Sequence, residues 1–138
     1  MKLVAFIDGS SMGNPGEAGY GVVLKDASGE TLAMLGRYIG KNTNNVAEYQ
    51  GFLGCLELAR DFEIESLKVY SDSQLMVKQI HGEYRVKQPH LQVLHRQALV
   101  LMDAMGFDVE LEHVRREYNK EADALARRAV KAKKEIRE

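Results

Sequence analysis

Tryptophan is absent from this 138-residue chain, cysteine occurs once and proline twice. The single thiol, Cys55, cannot close an internal disulfide, and in "GFLGCLELA" it reads as a small core residue of a helix. A disulfide-stapled scaffold is thereby excluded. No stretch approaches the roughly 18 to 20 continuous apolar residues of a membrane span. The chain also opens on a strand-like run instead of a charged, apolar and small-residue leader. The expectation is a soluble, cytoplasmic protein with no membrane partner. Net charge is missing too, since 19 Lys+Arg against 20 Asp+Glu leave a formal −1. No global field gathers a polyanion, so a nucleic-acid site has to be a local patch. One asymmetry exists between His113 and Glu138, where nine Lys/Arg meet five acids. A solvated helix and a binding surface both fit that pattern.

What is present is enough for a core. At 45% hydrophobic residues, the 138-residue chain reads as one domain spanning 1–138. "KLVAFID" is a nearly continuous apolar run, typical of a strand covered on both faces. "AGYGVVLKD" and "TLAMLGRYIG" flank the turn "ASGE", which gives three antiparallel strands in sequence. From Val46 the period changes, with Val46, Tyr49, Leu53 and Leu56 at helical spacing and Asn44 or Asn45 as the cap. A short strand "SLKVYSD", a short helix "SQLMVKQI", the polar break "HGEYRVKQP" and a second long helix from Pro89 to about Met105 follow. "FDVELEHV" alternates as a strand, and "NKEADALARRAVKAKK" closes as a helix capped by Asn119. The order implies an α/β fold with a five-stranded mixed sheet, three strands antiparallel and then two parallel, and helices on both faces.

Four acids fall at the ends of these elements: Asp8 after the first strand, Glu48 in the first turn of the first helix, Asp72 after the fourth strand and Asp123 in the first turn of the last helix. Ends of adjacent parallel strands share one edge, and helix N-termini can be brought to it. Singly, each acid is an ordinary turn former or dipole partner. Together they would repel and raise one another's pKa unless cations neutralise them. A hard cation such as Mg2+ fits an all-carboxylate set, and two ions about 4 Å apart can clamp both oxygens of a phosphoryl displacement.

At these residues the chain resembles the ribonuclease H family, type 1, in the prokaryotic form lacking a basic arm. "DGSSMGNPGEAGYG", "TNNVAEY", "YSDSQLMVKQI" and "HVRREYNKEADALA" match its motifs in order, over residues 1 to about 130. The resemblance implies a ribonuclease H-like fold and an endonuclease that cleaves the RNA strand of RNA/DNA hybrids. It implies two Mg2+ or Mn2+ ions on Asp8, Glu48, Asp72 and Asp123, products with 5'-phosphate and 3'-hydroxyl ends, and a monomer. By the same resemblance Asn14 and Gln74 would face the RNA strand, Asn45 the minor groove and Thr43 a DNA phosphate, with Gly9, Ser10 and Asn44 completing the substrate set. Gly9, Gly13, Gly16, Gly19 and Gly21 are expected to leave bare backbone for the strand to approach.

Two departures from the family pattern matter. The basic, Trp-rich arm is replaced by "HGEYRVKQPH", where Tyr84, Arg85 and Lys87 are the local substitutes, so hybrid binding should be weak and salt-sensitive. The flexible loop carrying a catalytic His is missing as well, and His113 reads as part of a strand. Arg116 or Glu117 stands nearest that position, with Arg116 the favoured electrostatic contributor. Two rivals share the fold. A non-catalytic binder would gain nothing from four acids facing phosphates, and an actin-like nucleotide domain needs a second lobe.

Overall fold

The opening apolar run forms β1 (Lys2–Gly13), which turns back into β2 (Gly16–Asp26) and then β3 (Thr31–Asn42), an antiparallel meander. This computed structural model describes all residues, 1–138. Gly13 takes a φ of +101° at the first turn, and a Cβ on Gly16 would lie 2.1 Å from the Met12 carbonyl oxygen, so the hairpin needs both glycines. β4 (Ser66–Ser71) lies parallel to β1 on its other side, and β5 (Asp108–His113) lies parallel to β4. The parallel placement read from the connecting helix therefore holds.

The sheet has six strands and not the expected five, in the order β5-β4-β1-β2-β3-β6. The additional strand, β6 (Ile136–Arg137), pairs antiparallel with Leu35 and Gly36. Beside it Met34 and Glu138 exchange backbone hydrogen bonds of 2.8 and 2.9 Å. Lys133 makes this return possible: it ends α4 (Lys120–Ala132) in a left-handed conformation, φ 51°, and redirects the chain to the sheet edge. Two residues carry no period, which is why the tail looks frayed in sequence.

Helices cover both faces. α1 (Asn44–Ala59) packs on β1 and β2 and is covered in turn by α3 (Pro89–Ala104). It is buried on nearly every side, so it needs no polar stripe. Its cap is Thr43, whose hydroxyl accepts from the Val46 N–H at 3.2 Å; Asn44 and Asn45, expected as caps, are the first two helical residues. The short α2 (Gln74–Ile80) follows β4, capped by Ser73. α4 lies on the opposite face, burying Ala122, Leu125, Ala126, Ala129 and Val130 against β1, β2 and β3.

Most of the glycines after Asp8 serve this packing and not an approaching strand. A Cβ on Gly9 would stand 2.4 Å from the Glu48 nitrogen of α1, one on Gly21 2.3 Å from the Ala122 oxygen of α4, and one on Gly19 2.9 Å from Val130. The bare backbone is already occupied by the protein's own helices. Gly9→Ala must therefore push α1 off β1, with an expected loss of about 1 to 3 kcal/mol in urea unfolding. Ser10→Ala, on the neighbouring half-buried position, should cost less than half of that. An unshifted midpoint for Gly9→Ala would mean that α1 is free to slide.

Candidate active site

β1 pairs with β4 only as far as Ile7 opposite Ser71, whereas its pairing with β2 continues to Gly13. Asp8 thus sits where the two partners of β1 part company, in the middle of a 12-residue strand and not at its end as expected. Asp72 is the first residue beyond β4, so the parallel register sets it beside Asp8. Glu48 is the fifth residue of α1, beyond the first turn where it was expected. The Gly9 N–H donates to its carboxylate, fixing it against β1. Ligand oxygens of Asp8, Glu48 and Asp72 lie within 4.8 Å of one another.

Asp123, the fourth residue of α4, borders the same 350 Å³ cleft but stands outside that tight trio. The expected four-acid convergence is a close set of three with the fourth at its rim. Arg127, one turn further on, grips Asp123 with Nη2 to Oδ2 at 3.1 Å and Nε to Oδ1 at 3.2 Å. The position of α4 is set by Asn119, buried to 1% exposure, whose Nδ2 donates to the Ile7 carbonyl at 2.8 Å. Asn119 occupies the cap position, as expected, but its side chain does not cap the helix. It ties the helix to the residue preceding Asp8 instead.

Among the other expected site residues, Gly9, Ser10, Asn44, Asn45 and Arg116 line the carboxylate cleft. Asn14 stands behind them, its Oδ1 accepting from the Asn44 N–H at 3.1 Å. Thr43 and Gln74 do not line the cleft: Thr43 caps α1 and Gln74 opens α2 with an exposed side chain. The structure separates Arg116 from Glu117. Both lie in the short 3-10 turn Arg116–Tyr118, yet the Arg116 charge acts on Glu48 while Glu117 pairs with Arg115 at 3.6 Å and lines a different cleft with Lys25 and Phe6. His113 is exposed at the end of β5. Tyr84, Arg85 and Lys87 line a 480 Å³ cleft that Asn45 also borders, beside the acids. Ser73 and Arg127 also line the carboxylate cleft and were missed by the sequence reading. For Arg127 the available signal was its i+4 spacing from Asp123.

The cleft has no apolar lining side chain, and its donors are hard carboxylate oxygens. Burial pushes Glu48 from 4.5 up to about 8, reinforced by Asp72 and opposed by the Gly9 N–H and by Arg116. Burial likewise drives Asp8 far above the usual carboxylate range, with further upward pressure from Glu48, Asp72 and contact with Asp123. Such a set fits a divalent cation of the Mg2+ or Mn2+ type, held by Asp8, Glu48 and Asp72 with Asp123 adjoining. In metal-free protein these raised values carry a definite sign. Between about pH 4.5 and pH 8 the folded state keeps protons that the unfolded state has released, so stability falls as pH rises through that window. Asp8→Asn should therefore exceed wild type in metal-free urea melts at pH 8, by on the order of 2 kcal/mol, and converge with it at pH 4. Mg2+ should stabilise wild type and not the variant. A variant less stable than wild type at pH 8 would contradict the repulsion.

Comparison with known proteins agrees with this geometry. Residues 6–129 match the reverse transcriptase-like family. Ribonuclease HI of Halobacterium salinarum is 41% identical over 130 residues, covering 94% of this chain, which spans 64% of that relative's length. Among solved structures, RNase H1 from the same archaeon superposes with a TM-score of 0.90 at 39% identity, covering 96% of this chain and 99% of that one. LC11-RNase H1 in complex with an RNA/DNA hybrid superposes at 0.89 with 34% identity, covering 95% and 98%. With the mixed sheet, the split beside Asp8 and the four acids at one cleft all accounted for, the chain belongs to the ribonuclease H family, type 1.

Proposed function

We propose that this protein hydrolyses the RNA strand of RNA/DNA hybrids as an endonuclease, leaving 5'-phosphate and 3'-hydroxyl ends. The observation that carries the reading is the trio Asp8, Glu48 and Asp72, with oxygens within 4.8 Å at one polar cleft in a ribonuclease H chain. Two Mg2+ or Mn2+ ions bound there would supply an activated water and charge stabilisation on both sides of the scissile phosphate. The chain's own residues do the rest. Asp8, Glu48 and Asp72 hold the ions, with Asp123 completing the set. Ser10, Asn44 and Asn45 line the cleft wall, which supports a role for them in meeting 2'-hydroxyls and base edges, the features that separate RNA from DNA. Asn14 supports Asn44 from behind. Thr43 at the cap of α1 and Gln74 at the start of α2 are proposed to meet a DNA phosphate and the RNA strand beside the cleft. One chain supplies all four acids, which supports a monomer as the working unit.

Arg116 is the residue proposed to act where this chain lacks the family's His loop. Its guanidinium is always charged, so it cannot take a proton at neutral pH; it can lower the energy of negative charge on the phosphoryl oxygens or help the cleaved phosphate leave.

A labelled RNA/DNA hybrid incubated with and without Mg2+, beside duplex DNA and duplex RNA, tests the assignment. Cleavage confined to the RNA strand of the hybrid and dependent on the metal is the expected result. Binding without cleavage would reduce the protein to a hybrid-binding module. In steady-state assays Asp72→Asn should abolish turnover, and Arg116→Ala should lower kcat about tenfold or more. Glu117→Ala should leave kcat near wild type; the reverse ranking would transfer the role to the glutamate.

A further inference from the structure

Asp123 is the only acid of the site held in a direct ion pair. Arg127 satisfies both of its oxygens, at 3.1 and 3.2 Å, much as a bound cation would. Asp8, Glu48 and Asp72 form no ion pair and face one another. The Arg127 side chain is nevertheless 68% exposed, and it stands on the wall between two clefts. One holds the acids. The other, of 630 Å³, runs along α4 past Ser10, Met12, Arg128 and Lys131. Ser10 and Asp123 border both, so the second cleft continues the first. Lys131 has no ionic partner, Arg128 pairs with Glu138 at 3.2 Å, and Met12 is 66% exposed, so the cleft combines cationic and apolar lining. A phosphate strand leaving the acids along this path meets positive charge immediately.

On the reading of the site as a hybrid nuclease, we propose that Arg127 is an exchangeable counter-ion: it neutralises Asp123 while no divalent cation is bound there, and passes to a phosphate of the nucleic-acid strand in the Arg128–Lys131 cleft when a cation takes Asp123. Both Asp123 oxygens are taken up by the Nε and Nη2 donors of Arg127, so a cation binding there competes with the arginine. A cation therefore has to displace Arg127 to reach Asp123, and the released arginine strengthens the grip on the strand. Metal and nucleic acid reinforce each other through this one side chain, and the coupling works in both directions. Arg127 is a positioning residue, acting through Asp123 and the strand backbone.

Two measurements separate this role from a plain helix-stabilising pair. In calorimetric titration of Mn2+ into protein without nucleic acid, Arg127→Ala should bind the ion about two- to fivefold more tightly than wild type, the strength of such an i,i+4 pair. In steady-state cleavage with Mg2+, the same variant should raise KM, and the slope of log kcat/KM against log salt should become shallower by about one, the signature of one lost phosphate contact. Arg127→Lys, which keeps the charge but loses the two-pronged grip, should retain the wild-type salt slope while binding Mn2+ between the other two. Loss of a structural ion pair alone would lower the melting temperature and leave Mn2+ affinity and the salt slope where they were, and that result overturns the proposal. If wild type itself fails to cleave the hybrid, the reading of the site falls, and the Mn2+ titration alone then decides whether Arg127 masks Asp123.

Discussion

Mutual repulsion among buried carboxylates is the constraint around which this molecule is arranged. Asp8 and Glu48 are nearly sequestered from solvent, at 6% and 8% exposure, and Asp72 shares their space. Burial first and mutual repulsion second raise the pKa of Asp8 and Glu48, so without cations they would stay protonated or spread apart. Their confinement has to come from elements that cannot relax. Asp8 and Asp72 are held by the parallel β1–β4 register, which is over-determined by a continuous ladder from Lys2 to Ile7. Glu48 is held by a helix that is buried on almost every side and so has nowhere to retreat.

The supporting contacts are small and specific. Gly9 lets α1 come close enough for its own N–H to reach Glu48, so one absent Cβ serves packing and electrostatics together. Asn119 links the start of α4 to the Ile7 carbonyl across 112 residues of sequence, which places Asp123 relative to Asp8. Its own Oδ1 is buried and meets no protein donor. The site thus rests on backbone groups of β1 on both sides, and the acids inherit the rigidity of the central strand.

Much of this was legible in the chain itself. The four acids stand in motifs that occur in family order, and the strands and long helices follow from period and length. What escaped the reading did so for physical reasons. A glycine-rich segment looks like a loop, so β1 appeared to stop at Asp8, yet hairpin pairing with β2 carries it five residues further to Gly13. Glycines that look like open backbone are contact points for α1 and α4, because a sequence does not reveal which neighbour fills an empty Cβ position. Thr43 takes the cap ahead of two asparagines that are intrinsically better cappers. Arg127 looks like one member of a solvated charge run, and only the turn of α4 that sets it over Asp123 distinguishes it from Arg128.

The closing strand has a consequence for how copies of the protein meet. Two-residue β6 covers the outer edge of β3 only at Leu35 and Gly36, and β5 forms the opposite edge of the sheet. Along β5 the residues at alternate positions on one face are Asp108, Glu110 and Glu112, all exposed. A second copy adding itself to that edge would bring two rows of like charge together across neighbouring strands, which is unfavourable. In crowded solutions of this nearly neutral protein the β5 edge is thereby guarded against sheet extension, the route by which open β-sheets begin to aggregate.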